Sequence, residues 1–337
     1  MVDGPPPPRL VADIGGTYGR FALSWPGRAP EPPGELICAD YPELGAAIEA
    51  FLERRAPELA PRQAALAVAG PVTGDVVQIT NHPWRFSSQE LRRRLGLERL
   101  VVINDFSALS LSLPHLSDAE LRPIGGGAPV PGAPKAVLGP GTGLGVAGLV
   151  PTRDGWLPLA GEGGHVDFVP GDEREVEILR RLKRRWDHVS AERLLSGPGL
   201  VSLYQILAKL EAGAVGEVPE APTPEAVVEA ARAAEDGVAG AALRTFCAVL
   251  GAVAGDLALT LGALGGVYLA GGIVPRLGAA FDERGFRRRF EAKGRFADYL
   301  ARIPVYVVMA AHPTLLGLAR CLDDGVAPWG AQVAVPD

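Results

Sequence analysis

Two short segments of the same design, about 125 residues apart, constrain this chain more than any other feature. "LVADIGGTYGRFALSW" (10–25) and "AVLGPGTGLGVAGLV" (136–150) each run as apolar, β-favouring residues into a glycine-rich turn and out again as apolar residues. That pattern is a hairpin, not a strand feeding a helix, and its recurrence predicts two related lobes. With 337 residues, 47% of them hydrophobic, the chain is long enough for two domains with real cores and a cleft between them.

Further strands are expected at "AALAVAGPV" (64–72) and "VVQIT" (76–80) in the first lobe, and at "VYLAGGI" (267–273) and "IPVYVVMA" (303–310) later. Between 171 and 264 the apolar spacing of three and four predicts helices over 172–186, 223–236 and 240–264. A last helix is expected over 313–322, with Pro313 in its first turn, and it could return to the first lobe. The mixture argues an α/β fold.

Charge and cysteine usage exclude several classes. The formal net charge is −6 and the basic residues are scattered, so a nucleic-acid backbone is repelled on average. Cys38, Cys247 and Cys321 lie far apart, which suits neither a disulfide framework nor a structural zinc site and fits a reducing cytoplasm. The start "MVDGPPPPRL" lacks the features of a signal peptide and reads as a short disordered leader. Residues 257–275 carry no charge for about 19 positions, the length of a membrane span, but paired glycines divide them, so a buried helix followed by a buried strand is expected.

Glycine turns suit phosphate because glycine permits φ > 0 and lets backbone N–H groups converge on an anion. In "DIGGT" (13–17), Asp13 can hold a hydrated Mg²⁺ and the Thr17 hydroxyl can donate to a phosphate oxygen; an ordinary hairpin turn accounts for the same glycines. "GLGVAG" (143–148) matches the dinucleotide pattern, with Asp167 at the expected distance, but that fingerprint must open a helix, and the stretch to Pro151 is β-friendly and too short. In "VVINDFSALS", Asp105 follows a strand expected to be buried on both faces. On the stretch alone an N-cap comes first, and a general base at the carboxyl end of the strand second. "LAGEGGHVDF" places Glu162 and His165 around a Gly-Gly pair and "SAERLLSGPG" adds Glu192, a set able to bind a polyol, although each residue by itself also reads as surface. His165 and His188 lack metal-ligand spacing.

Taken together and in this order, "DIGGT", "AVAGPV", "TNHPW", "VINDF", "GPGTGLG", "GEGGHVDF", "ERLLSGPGL" and "LAGGI" closely resemble the bacterial ATP-dependent glucokinase family, within the hexokinase and actin-like kinase superfamily, over about residues 10–320. The resemblance implies an α/β, two-lobed actin-like ATPase (ribonuclease H-like) fold with an interdomain cleft, in which residues 1–114 plus 313–337 form a small domain and 115–312 a large one with helical insertions. It implies that Asp105 is the general base for transfer of the ATP γ-phosphoryl group to the 6-hydroxyl of glucose. Asn104, Glu162, His165 and Glu192 would bind the sugar hydroxyls, with Gly70 and Pro71 bordering the sugar. Asp13, Gly15, Gly16 and Thr17 would form the first phosphate loop, with Mg²⁺ held by Asp13 through water. Gly141, Thr142 and Gly143 would form the second, and Gly271 and Gly272 would lie against the adenosine. The family also implies closure around glucose and a homodimer. Tyr18 departs from the family's Asn, while Arg20 is retained. Another hexose, a polyphosphate donor, or a non-catalytic sugar sensor on the same fold are the alternatives. An actin-like filament would not need the Glu162, His165 and Glu192 set, and a DNA-binding repressor would need a zinc motif and an N-terminal extension that the chain lacks.

Overall fold

The computed structural model describes residues 6–55, 60–211, 222–324 and 331–336. Its strands are β1 (Arg9–Ile14), β2 (Tyr18–Ser24), β3 (Gly34–Ile37), β4 (Gln63–Val68), β5 (Val76–Gln78), β6 (Arg85–Ser87), β7 (Arg99–Asn104), β8 (Leu121–Pro123), β9 (Lys135–Pro140), β10 (Leu144–Thr152), β11 (Gly155–Gly161), β12 (Val267–Leu269), β13 (Val305–Val308) and β14 (Gln332–Ala334). They form two six-stranded sheets, ordered β14-β7-β4-β1-β2-β3 and β11-β10-β9-β12-β13-β8, and a small β5-β6 ribbon. The two large sheets share one plan. Three consecutive strands lie side by side (β3-β2-β1 and β11-β10-β9), two later strands add in parallel (β4-β7 and β12-β13), and an antiparallel strand closes the edge (β14 and β8). The two glycine-turn hairpins thus occupy equivalent places in a duplicated topology.

The parallel strands of the first sheet read as near-continuous apolar runs, broken in β1 by Asp13, because both faces are covered. Leu10, Val11, Ala12 and Ile14 of β1, Ala64–Val68 of β4 and Leu100–Ile103 of β7 are all buried. By its internal contacts the chain divides into two compact units, Met1–Leu116 with Gly148–Ala160 and Ala310–Asp337, and Ser117–Ala147 with Gly161–Met309. Gly148–Ala160, placed in the second domain by the expected boundaries, groups with the first unit, where Gly155 comes close to the side chain of Asp324.

Of the expected leader, residues 1–5 lie outside the described residues, and β1 already begins at Arg9. The expected helices are present over Glu173–Leu182, Pro224–Ala233, Val238–Leu261 and Pro313–Asp324. Val238–Leu261 is long and apolar enough to cross a membrane by length and composition, yet most of it is buried inside the second unit, and strand β12 comes after it. Its own Phe246 and the neighbouring Phe286 and Phe290 are all fully buried in that core.

Candidate active site

In the first unit the candidate residues gather at the carboxyl ends of three adjacent parallel strands, the place where α/β sheets form ligand sites. Asp13 is next to last in β1, Gly70 and Pro71 come after β4, and Asn104 ends β7 with Asp105 next in sequence. Asn104 caps the helix Asp105–Ser112. Its Oδ1 accepts the N–H groups of Phe106 (2.9 Å) and Ser107 (3.1 Å), while its Nδ2 donates to the carbonyl of Gly70 (3.2 Å). The N-cap role weighed for Asp105 therefore belongs to Asn104, whose extended backbone (φ −64°, ψ 147°) suits the cap position. Asp105 is the first helical residue, half-buried, with its Oδ1 accepting Phe106 N–H at 2.9 Å. Asn104 has both acceptor lone pairs and one donor hydrogen engaged, which leaves a single N–H without a partner among the described residues. Gly70 adopts φ +114°, and a Cβ there would fall 2.4 Å from Thr80 Oγ1, so glycine is required on both counts.

The first loop differs from its expected use of glycine. Neither Gly15 nor Gly16 has positive φ; a Cβ would approach the carbonyl oxygens of Tyr18 and Asn81 respectively to 3.3 Å, so tightness of packing selects glycine here. Nor do all the N–H groups converge on an anion. Gly15 N–H closes the turn on Tyr18 O (3.0 Å), and in the second loop Gly141 N–H closes on Gly143 O (2.8 Å). The N–H groups of Gly16, Thr17, Thr142 and Gly143 make no hydrogen bond among the described residues, so each turn keeps two backbone donors of the kind that can hold an anion.

Asp13 meets the requirements of a magnesium ligand. Its carboxylate accepts no hydrogen bond among the described residues, and burial pushes its pKa up to about 6, with Arg20 opposite on β2 pulling it partly back. A hard oxygen donor whose charge is only partly compensated is what a Mg²⁺ aqua ion needs. Three first-unit residues escaped the sequence reading. Cys38 is buried, donates its backbone N–H to Thr17 O (2.9 Å) and places its thiol 3.6 Å from Gly15 O. Thr80 abuts Gly70. Asn81, next to Gly16, is the one non-glycine described residue with positive φ (62°), and its place in "TNHPW" was the available signal.

In the second unit, Gly141, Thr142 and Gly143 connect β9 to β10. Strand β10 begins directly after Gly143, where a dinucleotide fingerprint requires a helix. The 3₁₀ turns Gly163–His165 and Ala191–Arg193 bring the polyol set to this loop. Glu192 Oε2 accepts Leu144 N–H at 2.9 Å, and its Oε1 lies 4.0 Å from His165 Nε2. Glu162 is exposed, and its carbonyl holds His165 N–H at 2.9 Å. His188 is paired elsewhere, with Asp167 (3.0 Å), and the described residues contain no His/Cys/Asp/Glu cluster able to hold a metal. Gly271 comes after β12 beside the end of β9; it has φ +75°, and its Cβ would fall 2.6 Å from Pro140 O. Gly272, exposed, precedes the short helix Ile273–Leu277.

Two sheets of one plan, each with a glycine turn between its paired strands, together with carboxylates at a strand end and beside the second turn, fit a sugar kinase of the two-domain actin-like ATPase fold. A structure of a glucokinase from an Antarctic psychrotroph superposes with a TM-score of 0.83 at 36% identity, covering 94% of this chain and 98% of that one. A glucokinase of the ROK family from Streptomyces griseus, in complex with glucose and AMPPNP, shares the fold at a TM-score of 0.62 and 22% identity, over 93% and 98% of the two chains. The family model for glucokinase matches residues 10–325, and the glucokinase of Aromatoleum aromaticum is 52% identical over 321 residues, 95% of this chain and 96% of that one. The chain belongs to the glucokinase family.

Proposed function

We propose that the enzyme transfers the γ-phosphoryl group of ATP to the 6-hydroxyl of glucose, giving glucose 6-phosphate and ADP, with Asp105 as general base. The observation that carries this reading is the division of labour at the end of β7: Asn104 takes the helix-capping duty, so Asp105 is not needed for it. In the reaction the O6–H proton passes to the Asp105 carboxylate as O6 bonds to the γ-phosphorus, and the bond to the ADP oxygen breaks. The unused N–H groups of Gly16, Thr17, Thr142 and Gly143 are fixed dipoles that hold phosphate oxygens without reorganisation. Asn104, Glu162, His165 and Glu192 bind and orient the sugar beside Gly70 and Pro71, and Gly271 and Gly272 border the adenosine. Asp13 would hold Mg²⁺ through water; when bound, that ion neutralises phosphate charge. The sensor alternative is disfavoured because sugar binding by itself calls for neither the two turns nor a base. The enzyme is read as cytoplasmic and homodimeric, in keeping with three buried free cysteines and the habit of the family.

The test is glucose 6-phosphate formation with ATP and Mg²⁺, with mannose, fructose, N-acetylglucosamine and polyphosphate as competing substrates and donor. Rapid turnover selective for glucose and ATP is expected. Calorimetric glucose binding without product would sink the catalytic reading.

A further inference from the structure

The second phosphate loop and the sugar-binding side chains of the second unit are not separate devices. They meet at one residue, Leu144, the first of β10. Its N–H is held by Glu192 Oε2 at 2.9 Å, and its carbonyl oxygen lies where a Cβ on Gly164 would stand, 2.1 Å away, so the "EGGH" turn rests directly on the same residue. A Cβ on Gly143 would sit 2.4 Å from Glu192 Oε2, so the loop has glycine where the carboxylate must come in. A second tie lies further along the same segment, where Gly197 N–H donates to Gly141 O at 2.9 Å. The stretch from Glu192 to Gly197 therefore grips the loop at both ends, once by a side chain and once by backbone. Only the first grip involves a group with a second oxygen turned toward His165, 4.0 Å away.

We propose that Glu192 is a positioning residue for the Gly141–Gly143 loop as well as a sugar ligand, and that through it occupancy by sugar and occupancy by nucleotide favour each other. This rests on the function proposed above. One carboxylate serves both sides: Oε2 fixes the amide next to the loop, and Oε1 faces the hydroxyl-binding side. A sugar hydroxyl donated to Oε1 narrows the orientations of the whole carboxylate and so of Leu144 N–H. A nucleotide phosphate seated on the loop fixes Leu144 and thereby the carboxylate. Linkage requires the effect to be reciprocal. A charge-assisted hydrogen bond is strong enough to transmit such a bias, because its loss leaves a half-buried donor unpaired.

The experiment is calorimetry on the full chain with AMPPNP plus Mg²⁺ in the absence of any sugar, and with glucose in the absence of nucleotide. The wild type, Glu192→Ala, Glu192→Gln and Gly143→Ala are compared. Glu192→Ala is expected to weaken sugar-free AMPPNP binding by about tenfold, the size of losing one charge-assisted hydrogen bond to the Leu144 N–H. Glu192→Gln keeps an acceptor for Leu144 N–H and is expected to restore most of that nucleotide affinity while glucose binding stays impaired. Gly143→Ala, which displaces the carboxylate without removing it, is expected to weaken nucleotide-free glucose binding several-fold. If sugar-free AMPPNP affinity is the same in Glu192→Ala as in wild type, Glu192 is a sugar ligand only and the coupling is refuted. Should Glu192→Ala fail to fold, an unchanged glucose affinity in Gly143→Ala refutes it equally. Failure of the functional reading looks different: wild-type protein then binds no glucose, or makes no glucose 6-phosphate from ATP, whatever the variants do.

Discussion

Asp13 and Asp105 both stand at strand ends of the first sheet, but they answer to different physics. Asp105 begins a helix whose cap is supplied by its neighbour, so its replacement removes the proposed proton acceptor while the Asn104 cap stays in place. Asp105→Ala is expected to lower turnover by about 10²-fold to 10⁴-fold, with glucose still bound, as steady-state kinetics and calorimetry would show. Asp13 is a desolvated carboxylate whose pKa, about 6, lies above its ordinary value of 3.8. Between those values the folded protein binds more protons than the unfolded chain, so stability falls as pH rises through this window, and the penalty is complete above about pH 6. Asp13→Asn should therefore raise stability at pH 7.5 by about 1–3 kcal/mol, and by little near pH 4, while abolishing turnover with MgATP. Thermal melts at the two pH values check the first part, and a wild-type-like melting point at pH 7.5 would refute it.

At the scale of elements, the helix that begins with Asp105, the proposed base, is placed by helix packing. Helix Asp105–Ser112 lies against the last helix, Pro313–Asp324, so closely that a Cβ on Gly317 would fall 1.8 Å from Ala108 O. Gly317→Val is expected to force the pair apart, costing about 1–3 kcal/mol in urea unfolding and lowering turnover more than it weakens glucose binding. The strands around the two glycine turns, those within 64–80, 267–273 and 303–310, and the helices near 172–186, 223–236, 240–264 and 313–322 were legible in the sequence because apolar runs and the 3.6-residue period report burial directly, whereas short elements such as β8, β11 and β14 gave no such signal. The role of Gly317 was not, because a glycine in a helix shows its reason only when the neighbour's backbone is in place. The same holds for Asn104. The sequence offered a cap or a base at Asp105, and the hydrogen bonds from Phe106 and Ser107 to Asn104, with that residue's own bond to Gly70, give the cap to the residue before it.

At the scale of the whole molecule, all three cysteines are buried and unbonded, and burial pushes the thiols of Cys247 and Cys321 up to about 12. Thermal unfolding should give the same midpoint with and without reductant; a drop on adding reductant would reveal a disulfide and contradict this. Saturating glucose should raise the midpoint through mass action, by the equivalent of about 2.7 kcal/mol at a hundred times its dissociation constant. Sedimentation velocity should show two chains per particle, and a single-chain particle at micromolar concentration would overturn the homodimer.

The duplicated hairpin plan, the two-part core, the lack of a cysteine framework and the set of chemistry-bearing motifs are all written in the order of the residues, because hydrophobic period, glycine placement and charge are local properties. Three things needed the folded chain: which N–H groups of each turn remain for phosphate, that Asn104 and not Asp105 caps the helix, and that Glu192 touches the peptide after Gly143. The last joins residues 48 positions apart, and the first two join residues two or three apart whose backbone angles the rest of the fold sets; in each case the hydrogen bond exists only where the folded chain has brought the second group within about 3 Å.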